Sequence, residues 1–334
     1  MIFGLMTDHC SAVILESFHP DAEGLTLGTV PVRAPGPGEL RLRMLAAPVN
    51  PADINIIEGR YGELPALPSV IGNEGCGVVE EIGYQVKGWS PGDLAVVLQR
   101  GAWTESLTLE ATEAFRLPPG TDPVLGCQLG VNPPTALLLL EQFESLSPGD
   151  WIVQNAANSA VGRSVIQIAR SRDLKTLNVV RRPELIQELS HLGADVVVTE
   201  ETELRKSVTS LCHGSRPKLA LNAVGGPSAL NLAGALEEGH SLVTFGAMSK
   251  QPLKIPNGLL IFSDLRFRGF WLTKWKQTAS MAERSRVFQI LSEMTARGHL
   301  ALAVHAEYPI SQAREAIREA SAANRSGKVI LRLG

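Results

Sequence analysis

The sequence predicts an α/β protein in which a doubly wound parallel sheet is joined to a second, β-rich and barrel-like domain. Three observations carry this. From Val13 to about Leu117 short alternating strands are broken by turn chemistry. After "LPPGTDP" apolar runs alternate with amphipathic segments, and a last alternating strand, "KVILRL", ends the chain. Period-2 alternation marks strands with one wet face; continuous apolar runs separated by helices mark parallel strands covered on both faces.

The elements follow in order. "AVILES", "PGPGELRLRML", "GCGVVEEIG" and "PGDLAVVL" read as strands bounded by Gly, Pro, Ser or Asp. One helix interrupts them, "NPADINIIEG", with Asn50 as N-cap, Pro51 at N1 and Gly59 as the stop. Six buried strands come next: "WIVQNA" (151–156), "TLNVV" (176–180), "DVVVT" (195–199), "KLALNAV" (218–224), "HSLVTFG" (240–246) and "DLRFRGF" (264–270). Between the first two, Val161, Val165, Ile168 and Ala169 form a helical stripe. "PELIQELSHLG" is expected to start with Pro183 at N1 and to end at Gly193. The tail adds a helix around "RVFQILSEMTARG", a short strand near Val304, a helix after Ser311 and the final strand, whose alternation suits the β-rich domain. The expected division is 1–127 with 300–334 for that domain and 128–299 for the parallel sheet.

With 334 residues, 44% of them hydrophobic, the chain can bury two cores. A formal charge of -3 gives no reason to expect nucleic acid, and no apolar run approaches the roughly 18 residues of a membrane span. Cys10, Cys76, Cys127 and Cys212 are scattered without a C-x-x-C pair, which suggests neither a zinc lobe nor a disulfide framework but a reducing compartment. "MIFGLMTDHC" lacks a secretory or transit pattern, so the cytoplasm is expected, or the mitochondrial matrix had a transit segment been trimmed.

"WIVQNAANSAVGRSVIQIA" (151–169) stands where a nucleotide-binding turn belongs: a strand, a small-residue turn, a helix. A G-x-G-x-x-G fingerprint ending at Gly162 would need glycine at 157 and 159, where the chain has Ala157 and Ser159. Both are small, Asn158 and Ser159 can donate to phosphate oxygens, and Gly162 keeps the place where helix and strand must touch. The turn alone fits either a cofactor site or a plain strand–helix connection. The end of the second strand adds a clue: a carboxylate there would hold the ribose 2′-hydroxyl of NAD, but Arg181 and Arg182 stand in its place. Two guanidinium groups suit a 2′-phosphate, so the implied cofactor is NADPH.

On these residues the chain resembles the medium-chain dehydrogenase/reductase superfamily, and within it the trans-2-enoyl-thioester reductases of the mitochondrial fatty-acid synthesis type. "GRYGELPALPSVIGNEG", "LGVNPPTA", "IVQNAANSAVGRSVIQIA", "LNVVRRPE", "LALNAVGG" and "LIFSDLRFRGFWLTKWK" carry the resemblance almost end to end. It implies a GroES-like β-rich domain, a Rossmann-type domain, NADPH as cofactor, enoyl-CoA or enoyl-acyl carrier protein as substrate, and a homodimer. The edge strand "DLRFRGF" offers unpaired backbone groups for such a dimer. Zinc-dependent members carry G-H-E; here Asn73 replaces the histidine, so a metal-free reaction is expected.

By that similarity Tyr61 matches the catalytic tyrosine, and Asn132 a cofactor contact. Asn158, Ser159, Ala160 and Val161 match the pyrophosphate turn, and Arg181 and Arg182 the 2′-phosphate site. Phe245, Gly246, Ala247 and Met248, with Phe270, Leu272 and Thr273, match further cofactor or pocket contacts, and Lys328 a late one. Ala160 and Ala247 occupy places where relatives often have glycine. A tyrosine hydroxyl, with a reference pKa of about 10, can stabilise an enolate oxygen or deliver a proton at neutral pH. Trp271 could wall the substrate pocket, and Arg266, Arg268, Lys274 and Lys276 could attract the phosphates of coenzyme A or an acidic carrier protein. A zinc-free quinone or enone reductase, or a non-catalytic NADPH-binding protein, are the alternatives.

Overall fold

The computed structural model describes residues 8–322 and 325–334, so most of the N-terminal stretch read for targeting signals lies outside the described residues. The chain divides into two compact units: Met1–Val131 with Phe288–Ala296 and Leu302–Gly334, and Asn132–Val287 with Arg297–Ala301.

In the first unit the strands are β1 (His9–Leu15), β2 (Leu25–Pro31), β3 (Glu39–Pro48), β4 (Ser69–Val70), β5 (Gly75–Ile82), β6 (Leu94–Val97), β7 (Ser106–Glu110) and β8 (Ala114–Arg116). Helix α1 (Pro51–Ile57) follows β3, and the short α2 (Pro123–Gly126) precedes the boundary. Helix α1 starts as its sequence dictates. Asn50 is its extended N-cap in a reciprocal capping box with Asp53, Pro51 opens it, and Gly59 turns the chain away at φ +71°.

The second unit contains α3 (Asn132–Glu141), then alternates β9 (Trp151–Gln154), α4 (Ala160–Arg170), β10 (Lys175–Val180), α5 (Leu185–Leu192), β11 (Val196–Thr199), α6 (Leu204–Leu211), β12 (Leu219–Asn222), α7 (Gly226–Ala235) and β13 (Ser241–Thr244). Then come α8 (Asn257–Ile261), β14 (Arg266–Gly269) and α9 (Leu272–Thr278). All six strands pair in parallel in the order β11-β10-β9-β12-β13-β14, the doubly wound arrangement expected from their apolar runs. Val153, Leu177, Ala220 and Leu242 carry its core under α6 and α7 residues such as Val208 and Leu232.

After α10 (Met281–Ala296), β15 (Val304–Pro309), α11 (Ala313–Ser321) and β16 (Lys328–Arg332) complete the first unit. Strand β16 pairs antiparallel with β3, so the chain's last strand does join the β-rich sheet.

Two local expectations need correction. The β-rich domain is not a closed barrel: one sheet runs β15-β16-β3-β5-β6-β8 with β7 on β3, and β2-β1-β4 forms a separate sheet. Strand β3 changes partner from β7 to β16 along its length and is bulged against β5, while β1 meets the β7 side through the single bridge Ala12↔Thr104. Helix α5 starts at Leu185 rather than with Pro183 at N1. The amides of Leu185 and Ile186 bond back three residues to Arg182 and Pro183, a tight turn that precedes the α-helix proper. Its end is as expected, with Gly193 left-handed at φ +110°.

Candidate active site

The turn after β9 shows how one glycine serves where the fingerprint has three. Ser159 caps α4, its Oγ accepting from the Gly162 amide at 3.1 Å. A Cβ at Gly162 would lie 2.6 Å from the Ala157 carbonyl oxygen and 2.7 Å from its Cα, so only glycine lets α4 settle on the strand. Ala157 is fully buried beneath the turn, whereas Asn158, Ser159 and Ala160 are half-buried and Val161 is 9% exposed. A capped helix N-terminus under small residues fits a pyrophosphate: the helix dipole and first-turn amides favour an anion there.

Strand β10 ends at Val180, and Arg181 is exposed directly after it. Arg182 is half-buried and lies 3.7 Å from Glu184, close enough to be held without being neutralised in a tight pair. Two cations at this strand end fit a phosphate on the ribose better than a bare 2′-hydroxyl.

Residues Phe245–Met248 follow β13. The Phe245 amide donates to Asn222 O and the Met248 amide to Ala223 O, both at 3.0 Å, which ties this segment to the end of β12. Gly246 and Phe245 are half-buried; Ala247 and Met248 are exposed. Phe270 donates its amide to Thr244 O at 3.0 Å and sets its ring edge-on to Phe143, centroids 6.1 Å apart. Trp271 follows as the N-cap of α9 and is 37% exposed; Leu272 is buried and Thr273 half-buried. Asn132 opens α3 and is 7% exposed. The ends of β9, β10, β13 and β14 thus gather most of the expected cofactor residues at the carboxyl edge of one parallel sheet.

Tyr61 belongs to the first unit, in the loop between α1 and β4. It is half-buried against that unit's core, and Arg100 steadies the loop by donating to Glu63 O at 2.8 Å. Asn73 donates both its amide (3.0 Å) and its Nδ2 (2.6 Å) to Asp53 Oδ1, and so is spent on holding a carboxylate. Just before it, Gly72 at φ +98° passes so near the Trp103 indole that a Cβ would sit 2.2 Å from Cδ1.

Lys328, the late cofactor contact implied by the resemblance, is buried and hydrogen-bonded within the first unit. It is 3% exposed, and its Nζ donates to Val49 O at 3.3 Å and to Asn50 Oδ1. Asn50 in turn donates Nδ2 to Glu74 Oε1 at 2.7 Å, and Glu74 Oε2 accepts the Val131 amide at 2.8 Å. Burial pushes the Asp53 carboxyl up to about 6 against the pull of its amide donors, and raises Glu74 as well. Burial likewise lowers the Lys328 ammonium, while Glu74 pulls it back up. Asp53 and Glu74 were not anticipated from sequence. Their one signal is an acid set among apolar neighbours, in "PADI" and in "GNEG".

Comparison with known proteins bears on the family and the fold. Residues 36–119 match the alcohol dehydrogenase GroES-like domain and residues 160–286 the zinc-binding dehydrogenase family. A mitochondrial enoyl-[acyl-carrier-protein] reductase of Xenopus tropicalis is 40% identical over 329 residues, covering 96% of this chain and 94% of the relative. Among solved structures, an Etr1p/NADP/crotonyl-CoA complex superposes with a TM-score of 0.87 at 27% identity, over 97% of this chain and 100% of the other. A candidate NADPH:quinone reductase from Bacillus thuringiensis superposes at 0.92 with 25% identity, over 98% and 100%. With a Rossmann-type sheet, a GroES-like β-rich unit and a relative of this identity matched nearly end to end, the chain belongs to the enoyl-[acyl-carrier-protein] reductase family of medium-chain dehydrogenases/reductases.

Proposed function

We propose that this protein is an NADPH-dependent trans-2-enoyl-thioester reductase of fatty-acid synthesis, acting on enoyl-CoA or enoyl-acyl carrier protein. The carrying observation is the pair Arg181–Arg182 at the end of β10, next to a serine-capped, glycine-pinched turn. Near 40% identity to a named enoyl reductase supports the substrate class.

Bound NADPH supplies a hydride for the β-carbon of the enoyl group. The first-turn amides of α4, with Asn158 and Ser159, hold the pyrophosphate, and Arg181 and Arg182 grip the 2′-phosphate. Phe245–Met248 and Phe270–Thr273, with Asn132, flank the rest of the cofactor, and Trp271 walls the acyl pocket. Negative charge grows on the thioester carbonyl oxygen as the β-carbon is reduced. The Tyr61 hydroxyl donates a hydrogen bond to that oxygen or passes a proton to the α-carbon. Within the first unit Lys328 holds Asn50 and, through it, Glu74.

A homodimer is supported by β14, which pairs only with β13 among the described strands and is preceded by Ile261 (70% exposed) and Phe262 (80% exposed). The named relative is mitochondrial, and four buried free cysteines suit any reducing compartment.

The similarity to the Bacillus thuringiensis protein makes a quinone the second acceptor to test. NADPH consumption is to be followed with crotonyl-CoA, with a simple quinone, and without acceptor. Turnover of crotonyl-CoA well above the quinone is expected; turnover of the quinone alone would refute the assignment.

A further inference from the structure

The parallel sheet has polar residues where its strands should be driest. Gln154 and Asn155 on or just after β9, Asn178 on β10 and Asn222 on β12 are all at most 1% exposed. A buried amide costs free energy unless its donors and acceptors are met, so four of them in one sheet call for an explanation.

Their hydrogen bonds meet every side-chain donor and acceptor but one, Gln154 Oε1. Asn222 Oδ1 accepts three donors: Asn155 Nδ2 at 2.9 Å, the Gly225 amide at 2.9 Å and the Val224 amide at 3.2 Å. Its Nδ2 donates to Thr244 Oγ1 on β13 at 3.0 Å. Asn155 Oδ1 accepts the Ala223 amide at 2.8 Å, and its Nδ2 also reaches Ser228 Oγ on α7 at 3.0 Å. On the other side Gln154 Nε2 donates to Gly162 O at 3.0 Å and to Asn178 Oδ1 at 2.8 Å. The side chains therefore take hold of the backbone of two turns, 156–162 after β9 and 223–226 after β12. The 223–226 turn also accepts the Met248 and Ser249 amides through Ala223 O and Val224 O.

We propose that Asn155 and Asn222 are positioning residues for the cofactor: their linked amides fix the turn after β9 and the loops after β12 and β13 in register, which three-glycine turns achieve through backbone shape. The inference rests on the reading that this turn holds NADPH. In a fingerprint reduced to Gly162, the turn's conformation needs support from below: Gln154 bonds to its far end at Gly162 O, and Asn155, where the turn begins, is tied through its side chain to Asn222 and the Ala223 amide. Gln154 acts on the helix side, through Gly162 O; Asn155 and Asn222 act on the loop side. Because both loops meet parts common to NADPH and NADH, the network acts on the two nucleotides alike.

The test is equilibrium titration of the full-length protein with NADPH and NADH, beside thermal melts without nucleotide. Asn155→Leu keeps the side chain's shape but strands the Ala223 amide and removes one of the three donors to Asn222 Oδ1. It is expected to raise the dissociation constants of both nucleotides by a similar factor, about tenfold or more, the size of a lost hydrogen bond to a buried partner. Ser228→Ala removes one peripheral partner from a half-buried residue, cannot prevent folding, and is expected to raise both by about threefold. Arg181→Ala/Arg182→Ala provides the contrast, since it is expected to weaken NADPH alone. Nucleotide binding unchanged within twofold in Ser228→Ala, and in Asn155→Leu where it folds, would overturn the inference and leave the cofactor reading standing. Wild-type protein that bound neither nucleotide would overturn both.

Discussion

Replacing Lys328 with methionine distinguishes an internal counter-charge from a cofactor contact. Methionine fills nearly the same space but removes the ammonium that faces Glu74 and Asp53 through Asn50. At 3% exposure water cannot replace it, and losing one partner of a buried charge set costs about 3–5 kcal/mol. At roughly 2 °C per kcal/mol for a chain of this size, the melting temperature should fall by about 6–10 °C. The pH dependence has a definite sign. A carboxyl whose folded pKa is raised, as at Asp53 from 3.8 to about 6, stabilises the fold below its unfolded pKa, and this contribution is lost as pH rises through the folded value. Without the cation the folded carboxyl values climb further, so the deficit of Lys328→Met should be largest near pH 8 and shrink towards pH 5. Adding Glu74→Gln removes the stranded carboxylate and should recover at least about 1.5 kcal/mol as a coupling energy. The assay is a set of thermal melts of the four cycle members at pH 5 and pH 8, each with an NADPH titration. Lys328→Met melting within 2 °C of wild type at pH 8 while losing NADPH affinity would refute the internal-cation reasoning.

Arg181→Ala/Arg182→Ala should weaken NADPH by about 100-fold or more and leave NADH nearly unchanged, since each lost charge-assisted bond is worth about 1.5–3 kcal/mol; equal losses by titration would remove the 2′-phosphate assignment. Tyr61→Phe should lower kcat on crotonyl-CoA by roughly 10² with little change in KM, and a folded variant within threefold of wild-type kcat would end the catalytic role. Phe262→Asp places a charge on the exposed apolar run before β14 and should shift a dimer towards monomer by light scattering at micromolar concentration. A wild-type protein already monomeric under those conditions would dispose of the dimer.

Much of this molecule is legible in its sequence because the signals are local. Asn50, Pro51 and Gly59 bound α1 within ten residues, and the six apolar runs become six parallel strands because a continuous run has one stable setting, covered on both faces. Gly162 was identifiable for the same reason: its constraint is set by Ala157, five residues away. What sequence did not reveal depends on partners far apart. Lys328 and Asn50 are 278 positions apart, and Asn155 and Asn222 are 67 apart, so no spacing rule brings them together. Amides in "WIVQNA" and "LALNAV" were visible as exceptions in apolar strands, but only pairing gives them a purpose. The barrel failed to close for a similar reason: alternation says which face of β3 is buried, not that its partner changes along its length.

The pairing of β16 with β3 has a consequence for how the protein is made. The second unit is almost one continuous stretch, Asn132–Val287, but the first is assembled from both ends of the chain. At roughly 5–20 residues per second on the ribosome, the partner of Pro48, Ile330, arrives about 15–55 s after it. During that interval the end of β3 has no neighbour on that side, and Asp53 and Glu74 have no Lys328, so a nascent first unit can only hold those carboxyls wet or protonated. The domain that begins synthesis first is therefore the last to become native, and the arrival of its final strand supplies the missing hydrogen bonds and the missing cation in a single event.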